Sequence, residues 1–365
     1  MSDNVEIARN WFLGLILVVL LGLALRAMQP VLVPVVLALF IALVVSPVER
    51  WIATHVPTPT RWLGLLASML VIIAVFAIFI SALWIGGRRI AVALGGLTGR
   101  VDDLIRQAQI EEVAVFGTDL SQLATLLGDR AVAFVSGLLS RGINSVSSWT
   151  VMLALTLFLV FLMLAEAPRW SKKLEAISAA EDHARWQGAV RLIGLKLRAY
   201  LMTRLWLGLM TATLYIAWLW LMGVDLLVVW FLLTFLLSFI PNLGSVVSAL
   251  LPVIYAVAVP ASQPVWMIAL GLIVIEQGMG NLVQPQVQSR QVSLSPVVVL
   301  LSVIFFGWLW GAAGAFLGVP IMIAVVIAAA NIEAARGFAL LLSDQTSLED
   351  LDRAMAIRGR DAPAE

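Results

Sequence analysis

The chain has no cysteine. Disulfides, thiolate chemistry and Cys-ligated zinc or iron–sulfur sites are therefore excluded. Histidine is nearly as scarce. His55 and His183 are the only two, both lie in polar stretches, and neither stands beside another ligand type at metal spacing, so no metal site is expected. Charge is thin as well: 12% of residues against about 25% in soluble proteins, with 23 bases, 22 acids and a formal net charge of +1. No global field recruits nucleic acid. There is no His-Glu-x-x-His, no Gly-x-Ser-x-Gly and no P-loop ahead of any of the three lysines, so soluble-enzyme chemistry lacks its residues and no cofactor is expected. An intramembrane protease would need an acid pair or a Ser–His pair at bilayer depth, and neither is visible.

What fills the sequence is apolar: 62% of residues are hydrophobic against about 45–50% in soluble domains. Several runs are long enough to cross a bilayer, which predicts an all-α, polytopic membrane helix bundle. Residues 1–87 read as the N-terminal spans. Asp3, Glu6 and Arg9 precede an apolar run without a small-residue cleavage pattern, a retained first span. Trp11 to Leu25 and Val31 to Val45 form a helical hairpin with Pro30 and Pro34 near its tip, and a fuller run follows from Arg61-Trp62 to Ile85.

Residues 88–147 change to mixed charge with amphipathic period, an extramembrane helical insert carrying six acids and six bases. Val101, Leu104, Ile105 and Ala108 follow i, i+3, i+4, i+7, and Leu120, Leu123, Ala124 and Leu127 repeat it. A span over 148–165 precedes the basic segment 166–202. Between Glu166 and Arg204 stand eight Lys or Arg against four acids, which marks the cytoplasmic side and puts the insert in the periplasm. That segment's latter half, Arg191 to Arg204, is amphipathic and reads as an interfacial helix on anionic lipid or as a gate. Residues 203–335 carry a core with broken helices, and 336–365 a cytoplasmic tail.

Within that core, costly residues gather. Pro241, Asn242 and Gly244 frame either a broken helix whose freed carbonyls and amide face a cation or polar solute, or an ordinary interfacial turn. Glu276 follows eleven uncharged residues; it is a proton carrier or cation ligand, or else a snorkelling or helix-pairing acid. Gln277, Asn281, Gln284 and Gln288 stand at i, i+4, i+7 and i+11, one amide stripe that lines a polar path or faces water, with Pro285 interrupting the helix. Pro296 and Pro320 are further breaks, and the last two apolar runs are Val297 to Trp310 and Phe316 to Ala330. Gly307, Gly311, Gly314 and Gly318 repeat the same spacing, a groove along one helix face that serves packing first.

These blocks resemble a known family. Phe239-Ile240-Pro241-Asn242-Leu243-Gly244 with Pro252, Glu276-Gln277 and Asn281, Gln284-Pro285, Pro296 to Leu301, and Gly311-Ala312-Ala313-Gly314-Ala315 to Val319-Pro320 are similar, in order, to the signature blocks of the autoinducer-2 exporter family. The opening Pro30 to Pro34 and Ser46-Pro47 also resemble it, so nearly the whole chain is covered. Where the family usually has a small residue and a further Pro, this chain has Ser245-Val246. The resemblance implies a bacterial inner-membrane permease with about eight spans, both termini cytoplasmic, and homo-oligomers. The apolar runs number about ten, so two are expected to be re-entrant hairpins, within Leu236 to Ser295. It implies export of a furanone-type signal or sodium–proton exchange.

The expectation is a secondary transporter, not an enzyme, moving a small solute or ion by alternating access in contact with membrane lipid. Glu276 carries the coupling proton or sodium, and Asn242, Gln277, Asn281 and Gln284 line the path. The alternative is a non-transporting scaffold whose periplasmic insert binds a partner.

Overall fold

Long apolar runs can satisfy their backbone groups in lipid only as helices, and helices dominate here. The computed structural model describes residues 2–55, 61–94, 114–115, 118–119, 137, 146–177, 181–259, 263–288 and 294–355. In chain order these give α1 (Ser2–Ala27), α2 (Gln29–His55), α3 (Arg61–Leu94), a two-residue antiparallel pair β1 (Ala114–Val115) and β2 (Thr118–Asp119), α4 (Val146–Ile177) and α5 (Glu181–Leu221). Then come α6 (Leu227–Leu237), α7 (Leu243–Ala258), α8 (Val265–Gly278), a π turn (Met279–Val283), α9 (Gln284–Gln288) and α10 (Pro296–Ala330). A 3-10 turn (Glu333–Ala335), α11 (Arg336–Leu342) and α12 (Leu348–Met355) finish the described chain.

By length and composition, Gly188–Leu221, Val265–Val287 and Pro296–Ala330 suffice to cross a membrane, and α1 with α2 would make a fourth span. Large apolar side chains such as Leu17, Leu70, Trp206 and Trp266 stand exposed, as expected of a surface solvated by lipid. The amphipathic helices expected around Val101 and Leu120 lie outside the described residues. α4 runs on to Ile177, well past the expected end of its span. The basic segment and the apolar run after it form a single helix, α5, of 41 residues, about 60 Å at 1.5 Å per residue.

The chain divides into two compact units. The first holds residues 1–68, 152–201 and 291–365. Here α1 and α2 turn through 77° across Met28, a corner between a straight span and a hairpin. α10 is not a straight rod. Trp310 (φ −126°, ψ 16°) and Gly311 (φ 63°, ψ −144°) leave helical geometry, and a Cβ on Gly318 would lie 2.7 Å from the Ser302 carbonyl oxygen. In a straight helix, sixteen residues would separate them by about 24 Å. The helix therefore doubles back at Trp310–Gly311.

The glycine stripe thus changes meaning. Gly314 lies against the Phe306 carbonyl, Gly318 against that of Ser302, and Gly307 opposite the Ala315 methyl. They form the seam between two limbs of one hairpin, with Gly311 at its tip, instead of a groove along one helix face. Gly311 occupies a region of φ/ψ open almost only to glycine. The break expected at Pro320 does not occur: Pro320 sits buried inside the second limb, and the chain breaks at Trp310–Gly311 instead. Pro296 opens the first limb in the initial turn, where a missing N–H costs nothing.

The hairpin tip meets the α1–α2 corner within this unit. Trp310 Nε1–H donates to the Leu25 carbonyl at 3.0 Å, and the Arg26 guanidinium sits 5.4 Å from the Trp308 ring centroid. The charged tail is folded at its start: Ala339 and Leu351 are fully buried, Ser295 N–H donates to the Leu342 carbonyl at 3.2 Å, and Arg336 pairs with Asp352.

The second unit holds residues 69–151 and 202–290. Its core gathers Tyr215, Leu219, Trp230, Tyr255, Ile268 and Leu272, all nearly or fully buried. Glycine sets two of the helix approaches. A Cβ on Gly208 would lie 3.3 Å from the Phe235 carbonyl, and one on Gly86 would overlap the Val229 side chain.

Candidate functional site

The site is built by α5 and α8 packing antiparallel in the second unit. Trp218 Nε1–H donates to the Ile268 carbonyl at 3.3 Å, and its indole lies where a side chain on Gly271 would otherwise stand. One turn back along α5 and further on along α8, the Tyr215 hydroxyl donates to Glu276 Oε2 at 2.7 Å. The two residues are 61 positions apart in sequence. Tyr215 is fully buried and Glu276 partly so. A hydrogen bond to a charged group is worth about 1.5–3 kcal/mol, which offsets part of the cost of holding a carboxylate in an apolar surround. Ser248 of α7, also buried, lies against the same phenol while its Oγ donates to the Ser245 carbonyl at 2.9 Å. The arrangement can hold a proton or a cation on Glu276 with a fixed donor behind it.

The amide stripe divides. Asn281 Nδ2–H donates to Gln277 Oε1 at 2.8 Å, and both side chains are exposed. Gln284 is partly buried. The helix expected to stop at Pro285 continues, because the π turn Met279–Val283 precedes it and Gln284 N–H reaches back five residues to the Met279 carbonyl. A proline ring inside an α-helix collides with the carbonyl four residues earlier, and the wider turn removes that carbonyl from its path. The added residue also breaks the i, i+4, i+7 register, so Gln284 does not continue the face of Gln277 and Asn281.

Asn242 sits in the turn between α6 and α7. Its φ of 62° and ψ of −53°, with Leu243 N–H bonded to the Pro241 carbonyl at 2.7 Å, define a γ-turn of the rare positive-φ kind. Gly244 makes the turn possible, since a Cβ there would overlap the Leu237 carbonyl. Pro241 is buried in the same turn. The Asn242 side chain is exposed and makes no capping hydrogen bond, so its amide is free to meet a solute.

A family model for AI-2E family transporters matches residues 13–334. The chain belongs to this family. It is 31% identical to the AI-2 transport protein TqsA of Escherichia coli strain K12, over 91% of this chain and 94% of that protein. It is 26% identical to a Haemophilus influenzae protein named provisionally as a transport protein, over 94% of this chain and 99% of that one. Escherichia coli YhhT, also named provisionally, is 25% identical over 85% and 86%. As an AI-2E family member the chain is a membrane transport protein and not an enzyme.

Sequence reasoning placed Glu276 and missed its partner. The signal was present: the chain has three tyrosines against fourteen tryptophans, and all three, Tyr200, Tyr215 and Tyr255, are buried, whereas Trp206, Trp220, Trp266 and Trp308 stand more than half exposed. A scarce phenol inside an apolar run asks for a buried acceptor.

Proposed function

We propose that this protein is a secondary transporter of the bacterial inner membrane that moves a small polar solute or ion by alternating access, with Glu276 carrying the coupling proton or sodium. The observation that carries this reading is the 2.7 Å hydrogen bond from fully buried Tyr215 to the Glu276 carboxylate. An ionisable group held inside an apolar bundle is expensive, and it marks proton and ion pathways. Tyr215 positions the carboxylate, and Asn242, Gln277 and Asn281 supply neutral contacts along the path. TqsA is named for AI-2 transport, which makes that signal the first solute to test, with sodium–proton exchange second. The reading includes eight spans, both termini cytoplasmic, and a homo-oligomer.

The test is flux in proteoliposomes, with proton and sodium gradients imposed separately. Wild type should follow one gradient. Glu276→Gln should abolish gradient-driven flux, and Tyr215→Phe should lower it by about tenfold or more, the equivalent of the 1.5–3 kcal/mol of a charged hydrogen bond. Flux indifferent to both gradients, or full coupled flux in Glu276→Gln, would sink the coupling role.

A further inference from the structure

Apart from the Tyr215–Glu276 contact, the second unit carries a groove of about 740 Å³, open along one side, lined by α3 and the start of α6. Ala77, Ile78, Ala82 and Ile85 of α3, with Leu227 and Val228 of α6, make most of its lining apolar. The polar residues on its border are Ser81, Arg89 and Asp225.

Arg89 and Asp225 both border the groove near the buried Tyr255 phenol, with the Asp225 carboxylate beside the hydroxyl. They are exposed, and among the described residues no salt bridge joins them to each other. The Asp225 position is fixed by a strained turn. Leu226 holds φ 59° and ψ 30°, a left-handed conformation unusual for leucine. Buried Trp230 donates its indole N–H to the Asp225 carbonyl at 3.0 Å, and the N–H groups of Val229 and Trp230 bond the Leu226 carbonyl.

The dimensions fit one leaflet. From Ala77 to Arg89 the helix rises about 18 Å, against about 15 Å for half of the hydrocarbon core. An apolar trough of that length with one cation and one anion at its end matches a molecule carrying a chain, a phosphate and an ammonium. An anionic lipid would meet the Asp225 carboxylate, and a water-soluble zwitterion would make no use of the trough.

We propose that this groove binds a zwitterionic phospholipid of the phosphatidylethanolamine type, with one acyl chain along the apolar lining, its phosphate at Arg89 and its ammonium at Asp225. The site is independent of the transport reading, because lipid retention is measured without flux.

The experiment is native mass spectrometry of the full-length protein in mild detergent, given phosphatidylethanolamine and phosphatidylglycerol in equal amounts. Wild type should retain phosphatidylethanolamine over phosphatidylglycerol by about fivefold, the value of one headgroup charge contact. Asp225→Asn should bring that ratio to about one or below by favouring the anionic lipid, and Arg89→Gln should lower retention of both lipids by about fivefold. Arg89→Lys should restore it. Loss of fold lowers both lipids together and cannot produce the Asp225→Asn switch in ratio. Glycerophosphoethanolamine, a headgroup without chains, should not compete. Equal retention by wild type, an unchanged ratio in Asp225→Asn, or competition by the free headgroup would each overturn the proposal.

Discussion

Two tight turns in this protein solve the same geometric problem with different residues. Between α6 and α7, and again within α10, the chain reverses through a residue with φ close to +60° and lays a glycine of the returning limb on a carbonyl of the first. In α10 the turn residue is Gly311 and the seam is glycine as well, so every unusual requirement is met by the residue that meets it most cheaply. Between α6 and α7 the turn residue is Asn242, whose Cβ makes positive φ cost about 1–2 kcal/mol. A strained residue with an exposed amide stands where glycine would fit. The first turn therefore presents a side chain at its apex, and the second presents none.

The largest test of that contrast is Gly314→Val. A side chain there meets the Phe306 carbonyl, and overpacking against backbone should destabilise the protein by about 3 kcal/mol, read as a lower unfolding temperature in detergent. A tolerated valine would mean that the limbs of α10 do not close. Next comes Gly311→Ala, which forces alanine into the glycine-only region and should cost about 2 kcal/mol by the same thermal assay. Asn242→Gly should act in the opposite direction, raising stability by about 1 kcal/mol while slowing solute flux. Raised stability with unchanged flux would remove Asn242 from the path and make the two turns equivalent. Smallest is Trp310→Phe. It removes the hydrogen bond to the Leu25 carbonyl and should cost about 1 kcal/mol with little change in flux.

Much of this was legible from residue order, because membrane insertion penalises acids, amides and breakers so heavily that each survivor stands out. Glu276, the Pro241–Gly244 turn and the family signature blocks all emerged that way. The α10 hairpin emerged only in part: Val297 to Trp310 and Phe316 to Ala330 stand apart as two apolar runs, while the glycines read as one helix face. Glycines at i, i+4, i+7 and i+11 describe one face of a straight helix as well as they describe the seam of a folded one, and only the φ and ψ of Trp310 and Gly311 separate the two. Pro285 misled for a related reason: a proline reads as a stop unless a wider turn precedes it, and the π turn has no composition of its own. Tyr215 was hidden because its acceptor lies 61 residues away and nothing local names it. The length of α5 escaped because basic residues were read as a boundary, although a helix crosses a charge change without interruption.

The π turn at Met279–Val283 sets a rule for the length of the chain at that point. It holds one residue more than an α-helical path would need. Deleting a single residue there would return the segment to regular helix with the chain beyond it keeping its direction, and would press the Pro285 ring onto a carbonyl. The surplus residue and Pro285 are in this sense a single character. A shortened chain keeps a smooth helix here only if the proline is lost in the same step.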